Sequence, residues 1–289
     1  MNVTSFVFIS GALLLGKEES YKDWFCKRVL RIAAVIIIFS AIYYDWKNGN
    51  VGEYLLSIFS GHITNAFWYL YLYLGIMVLL PFLRKMVAVM TENEYRYMFA
   101  IFAVSQGIYP VLVYFFGLPS CHSIITSMFS TWISWIVVFI FGYYLFVVHN
   151  WSEKLSASRC LLFLGVWFIG NLIPTLLTIY DFRYRGATYY FMDNTFFIWT
   201  ICATIAANLL LLYLAGRIKN ELVNKSIRLV GSLTFGIYLL GDKLINNISF
   251  WSLPLSKTSR ELLCCIAVFA VGGVITFVLK HIPLIKKLL

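Results

Sequence analysis

Charge is scarce in this 289-residue chain. Asp, Glu, Lys and Arg make up 12% of it, hydrophobic residues 61%, and the mean hydropathy is +0.82. A soluble domain carries roughly 25% charged residues, so this composition leaves too little polar surface for one. Acidic residues number 13 and histidines 4. The chain contains no glycine-rich nucleotide fingerprint, no Walker pattern and no His/Glu metal box, which removes the usual motif support for nucleotide-dependent or metal-assisted chemistry. Cysteine is also sparse: Cys26, Cys121, Cys160, Cys202, Cys264 and Cys265 show no metal-ligand spacing and mostly fall in or beside apolar stretches, where they read as small packing residues. Neither a metal nor a bound cofactor is expected.

Long apolar runs fill the space that charge leaves. They fall near residues 1–16, 29–44, 67–83, 97–116, 128–148, 160–180, 195–215, 230–250 and 261–282, most of them close to the roughly 20 residues that cross a bilayer as a helix. The expected fold is all-α: a polytopic integral membrane bundle of about nine transmembrane helices, with residues 1–289 as one domain. The run FWYLYLYLGIMVLLPFLRK, from Phe67 to Lys85, tests this reading. Its Tyr/Leu alternation from Tyr69 to Leu74 has the period of a strand, but the apolar run continues past it to helix-spanning length. It is expected to be a helix, with Trp68, Tyr69, Tyr71 and Tyr73 as an interfacial aromatic belt or with hydroxyls facing a cavity.

The basic residues are distributed unevenly. Alternate connections, counting the one around Lys17 to Arg31 and the C-terminal end, hold 17 of the 23 Lys and Arg. Those connections are expected to face the cytoplasm, giving a multi-pass protein of the cell membrane with a cytoplasmic C-terminus. The net charge of +10 then reflects topology and contact with anionic lipid of the bilayer, with no nucleic-acid partner. Nine crossings would put Met1 outside, and the first run is short for a bilayer core of about 30 Å; one further helix upstream is expected.

Three segments carry a family resemblance. SFVFISGALLLGKEE (5–19) with FCKRVLRI (25–32) resembles the second helix and following loop of the membrane acyltransferase 3 family. FWYLYLYLGIMVLLPFLRKM (67–86) resembles that family's aromatic helix, and GSLTFGIYLL (231–240) is similar to its late Thr-Phe-Gly-Ile-Tyr-Leu motif. The resemblance implies an integral membrane O-acyltransferase, normally of ten helices. Such an enzyme moves an acyl group, commonly acetyl, from cytoplasmic acyl-CoA to a hydroxyl of a cell-envelope glycan or similar acceptor. The family's Arg and His of the first helix have no counterpart here; Ala66 and Phe67, and then Gly241 and Asp242, stand where many relatives carry His. The alternative is a non-catalytic protein on the same scaffold that aids envelope polysaccharide assembly or export.

Acyl transfer to a hydroxyl needs a general base, usually His or a carboxylate. His62, five residues before the aromatic helix, and Asp242, inside an apolar run where a charge is costly, are the candidate catalytic residues. Asp242 is expected to face a cavity or a basic partner; the structural alternative is a local ion pair, or a helix that ends at Gly241. On the acceptor side, Trp68, Tyr69 and Tyr71 join Asp181, Arg183 and Arg185 of the connection IYDFRYRGATYYFMDN (179–194), a mixture of flat faces and polar groups suited to sugars and equally to the membrane interface. Lys27, Arg28 and Arg31 are the candidate acyl-CoA contacts, through charge-assisted bonds to its phosphates, and equally serve as cytoplasmic anchors. The charge asymmetry makes a direct prediction. A reporter active only in the cytoplasm should work when fused after Leu289 and be silent when inserted near Leu118; the reverse pattern would invert the topology.

Overall fold

The computed structural model describes residues 3–116, 131–151, 153–184, 186, 196–248 and 256–289. Those residues are helical throughout their regular structure, with no strand among them. In chain order, α1 is Val3–Leu14. α2 runs through a helical turn at Tyr21–Trp24 and a π-helical turn at Phe25–Leu30 into Arg31–Ser40. α3 is Val51–Ser60, and α4 is Trp68–Val89 after a 3-10 turn at Asn65–Phe67. α5 runs from Glu92–Phe102 through a π turn at Ala103–Ile108 to Tyr109–Phe116, and α6 is Thr131–Tyr143 with a π turn at Tyr144–Val148. α7 is Ala157–Tyr184, α8 Ile198–Arg217, α9 Glu221–Asn247, α10 Lys257–Leu279 and α11 Pro283–Leu288.

Every expected apolar run coincides with one of these helices, and five segments among the described residues are long and apolar enough to cross a membrane: Asn65–Val89, Glu92–Phe116, Ala157–Tyr184, Ile198–Arg217 and Lys257–Leu279. The Tyr/Leu alternation is helical, as its length required. Large apolar side chains such as Leu161, Phe168 and Val274 stay exposed, as helices that are apolar all round present them to lipid. α3 was not among the expected runs. Its start was readable, however: the Asn50 side chain accepts from Glu53 N–H while the Glu53 side chain accepts from Asn50 N–H, a capping box.

The chain forms two compact units of interleaved segments. One comprises the chain up to Glu18 with Leu79–Arg217, the other Glu19–Val78 with Ile218–Leu289. In the first unit, α1 crosses α6 at the matching tetrapeptides FISG (8–11) and FIFG (139–142). A Cβ on Gly11 would strike the Phe139 carbonyl, and one on Gly142 would strike the Phe8 carbonyl. The two helices are therefore antiparallel here, and their backbones touch. Without a hydrophobic drive between helices in lipid, such close approach through small residues supplies the packing. Gly170 of α7 similarly lies against Trp199 and Ala203 of α8, and in the second unit Gly236 of α9 lies against Thr276 of α10.

Several backbone groups that helices leave orphaned are met by side chains. Pro81, inside α4, has no N–H to offer the Met77 carbonyl four residues earlier; the Trp24 indole N–H of α2 donates to that carbonyl at 2.7 Å. Arg84 donates from Nε and Nη2 to the Leu14 carbonyl at the end of α1, at 3.0 and 2.9 Å, and the Tyr95 hydroxyl donates to the Val87 carbonyl at 2.9 Å. Asn208, buried in α8, donates to Ser5 of α1 at 3.2 Å.

Two substitutions separate contact from mere glycine content. Gly142→Val should destabilise the protein by about 1–3 kcal/mol or more through overpacking. Gly165→Ala, where a Cβ meets nothing within 4 Å, should be neutral or mildly stabilising. Thermal unfolding of both variants in detergent checks this, and equal effects would show that the α1–α6 approach is not restrictive.

Candidate functional site

The second unit brings most of the candidate residues to the start of α4. The segment between α3 and α4 runs through His62 and Thr64 into the 3-10 turn at Asn65–Phe67. A helix start leaves N–H groups without intrahelical acceptors and carries a partial positive charge. α9 supplies what that start needs. Tyr238 and Asp242, four residues apart and so on one face, both reach Ala66. The Asp242 carboxylate accepts the Ala66 N–H at 3.3 Å and also the Thr64 hydroxyl, both on Oδ2, while the Tyr238 hydroxyl donates to the Ala66 carbonyl. One residue of the approach to α4 is thus held by both its backbone groups.

Of the two expected settings, a cavity or a basic partner, the second does not form: Asp242 has no cationic partner among the described residues and takes neutral donors instead. α9 does not end at Gly241 but continues to Asn247, and Asp242 occupies its last turns. Oδ1 makes no hydrogen bond among the described residues. One turn on, Asn247 Nδ2 donates to the Lys243 carbonyl at 2.6 Å, and the Lys243 side chain is exposed.

Aromatic side chains build the surroundings. Phe67 is fully buried, with its ring 5.3 Å from that of Tyr43 and 6.5 Å from that of Tyr238. The Tyr43 hydroxyl is inserted into the α9 ladder, donating to the Leu239 carbonyl at 2.8 Å and accepting the Lys243 N–H at 3.3 Å. Tyr69 packs edge-on against Tyr238, ring centroids 6.1 Å apart. The Tyr71 hydroxyl donates to the carbonyls of Ile58 and Gly61 at the end of α3, at 2.9 and 3.2 Å. The expected aromatic belt is therefore partly internal: Tyr69 and Tyr71 bind the protein's own helices, and Trp68 stays partly exposed. His62 is exposed two residues before Thr64.

The acceptor-side connection is corrected at its start. Residues 179–184 are the last turns of α7, and Asp181 is buried, its carboxylate accepting a hydrogen bond from the Tyr114 hydroxyl. Its partner here is a protein phenol rather than solvent. Arg183 is exposed on α7; Arg185 lies outside the described residues, and both Asp181 and Arg183 belong to the first unit.

The basic candidates of α2 already have partners in the second unit. Lys27 pairs with Asp23 at 2.8 Å, both exposed, and holds that carboxyl below the usual carboxylate range. Arg28 pairs with Glu19 at 2.6 Å, and Arg31 Nε donates to the Leu288 carbonyl of α11 at 3.1 Å. A groove of about 450 Å³ bounded by Ser232, Lys280, His281 and Lys286 lies in the same unit.

The site therefore joins the beginning of the aromatic helix to the late Tyr-Leu motif, segments some 170 residues apart in sequence. Comparison with known proteins agrees with those motifs: a family model described as an acyltransferase domain matches residues 1–279. The chain belongs to the acyltransferase 3 family. It is an acyltransferase and a multi-pass membrane protein. No curated protein and no solved structure matches the chain. Thr64, Tyr43 and Tyr238 escaped the sequence reading as site residues. Tyr238 lay inside a recognised motif, but nothing in Thr64 or Tyr43 alone signalled a partner so distant in sequence.

The clamp on Ala66 should be cooperative. Thr64→Val and Asp242→Leu should each cost about 1–3 kcal/mol, the range for leaving a buried polar group unpaired. The double variant should cost less than the sum of the two. Unfolding measured as a double-mutant cycle checks this, and strict additivity would show that the two side chains are not coupled.

Proposed function

We propose that this acyltransferase moves an acyl group, acetyl in the simplest case, from acyl-CoA on the cytoplasmic side to a hydroxyl of a cell-envelope glycan, with Asp242 as general base. One observation supports this reading above others: both hydrogen bonds to Asp242 fall on Oδ2, which leaves Oδ1 of a carboxylate already oriented by Thr64 and Ala66. A base held by one oxygen and open at the other is suited to taking a proton from an acceptor hydroxyl. The hydroxyl oxygen attacks the thioester carbonyl, its proton passes to the carboxylate, an ester C–O bond forms and the C–S bond breaks. The departing CoA thiolate is then protonated. Donors near the reacting carbonyl would stabilise the oxyanion, and His62 and Tyr69 are the candidates from the same region.

For the acceptor, Trp68, Tyr69 and Tyr71, in the same unit as Asp242, are the proposed ring faces. For the co-substrate, Lys27, Arg28 and Arg31 remain the proposed phosphate contacts. Arg31 also holds the end of α11, the helix whose Lys286 borders the groove.

The test is transfer of radiolabelled acetyl from acetyl-CoA to envelope glycan by membranes carrying the protein. Asp242→Asn keeps size and a hydrogen-bond acceptor for Thr64 and Ala66 but removes basicity, so transfer should fall at least about 100-fold with unchanged membrane insertion. Full activity of Asp242→Asn would reduce the residue to a helix cap. No transfer by the wild type under any acyl donor would favour a non-catalytic role on the scaffold.

A further inference from the structure

The first unit contains an apolar cavity that the proposed chemistry does not use. It has a volume of about 180 Å³, is partly open, and lies between α1, α5, α6 and α8, with Phe8, Phe102, Phe141 and Ile201 on its walls. Almost all of the exposed wall is carbon. Water in a protein cavity needs two to four polar partners, whereas a dry apolar cavity of about 150 Å³ accepts a guest the size of benzene. Water therefore has little to hold it here, and an apolar guest of that size or larger fits.

Two further features narrow the guest. α5 and α8 are among the segments long and apolar enough to cross a membrane, so hydrocarbon chains are the abundant apolar guests beside this unit. The wall also includes Thr4, whose hydroxyl is buried and has no hydrogen-bond partner among the described residues. A carbonyl at the head of an acyl chain would satisfy that donor, since a buried hydroxyl left unpaired is costly. We infer that this cavity is a binding site for a hydrocarbon chain carrying an ester or thioester carbonyl. Two sources share this chemistry: a phospholipid of the bilayer and a long-chain acyl thioester.

Photolabelling tests the site in the full chain reconstituted in bilayers. One arm uses a phospholipid with a diazirine in its acyl chain, the other a diazirine-bearing long-chain acyl-CoA, and labelled peptides are read by mass spectrometry. Labelling of residues around Phe102, Phe141 and Ile201 is expected in at least one arm, and the arm that labels identifies the source. Cys202, also on the wall, allows the space to be filled. Cys202→Phe should lower labelling at those peptides at least fivefold while leaving labelling of the exposed Leu161–Phe168 face of α7 unchanged. If Cys202→Phe fails to fold, Cys202→Leu supplies a smaller filler, and in the wild type protection of the Cys202 thiol from an apolar maleimide by the bound chain gives an independent reading. Absence of wall labelling in both arms, or labelling indifferent to the filler, overturns the inference.

Discussion

A backbone N–H or C=O inside a membrane has no water to turn to, so each must find a partner within the protein. This constraint accounts for more of the structure than any other. It makes the described regular structure helical, and it falls hardest where a helix starts, ends or contains proline. At several such places a side chain arrives from elsewhere: Trp24 for the carbonyl that Pro81 cannot serve, Arg84 for the end of α1, and Tyr71 for the end of α3. The Asp242–Ala66 clamp is another instance, in which a carboxylate serves the start of α4. A residue that seemed too costly for its place is there because a helix start needs an anion's lone pairs and offers a favourable dipole in return.

The same constraint shapes how helices meet. When every polar group along a helix is already bonded internally, association depends on how closely two surfaces pack. The reciprocal contacts of Gly11 with Phe139 and Gly142 with Phe8 bring α1 and α6 together at the backbone. Glycine is required there because the space a Cβ would occupy is filled by a carbonyl. Arg84 then links the Pro-Phe-Leu-Arg-Lys run of α4 to the end of α1 within the same unit.

For function, a structural cap and a catalytic base can be one carboxylate. The bonds to Thr64 and Ala66 use one oxygen and orient the group; the other oxygen stays available. Fixing a base through neighbouring donors is a common way to hold it near a reacting proton without letting it rotate. Tyr43, Tyr69 and Tyr238 pack their rings around this region, and the Tyr43 and Tyr238 hydroxyls donate to the Leu239 and Ala66 carbonyls.

Composition and run length by themselves determined that this chain is helical and crosses a membrane, because a scarcity of charge and long apolar runs admit few other structures. The motifs in residues 5–32, 67–86 and 231–240 determined the family. α3, only ten residues long, was not read from the sequence, although Asn50 and Glu53 at its start form a capping box. What only the tertiary structure decided is which distant groups meet. Asp242 could be marked as unusual from its apolar surroundings, but its partners lie 176 and 178 residues away, and no local pattern encodes that distance. Asp181 was read into a loop because α7 continues through charged residues to Tyr184, where the Tyr114 hydroxyl meets the carboxylate. Lys27, Arg28 and Arg31 were visible as charges but not as members of particular pairs. Local periodicity reports which face of a helix is apolar; it does not report which other helix, or which orphaned backbone group, that face will meet.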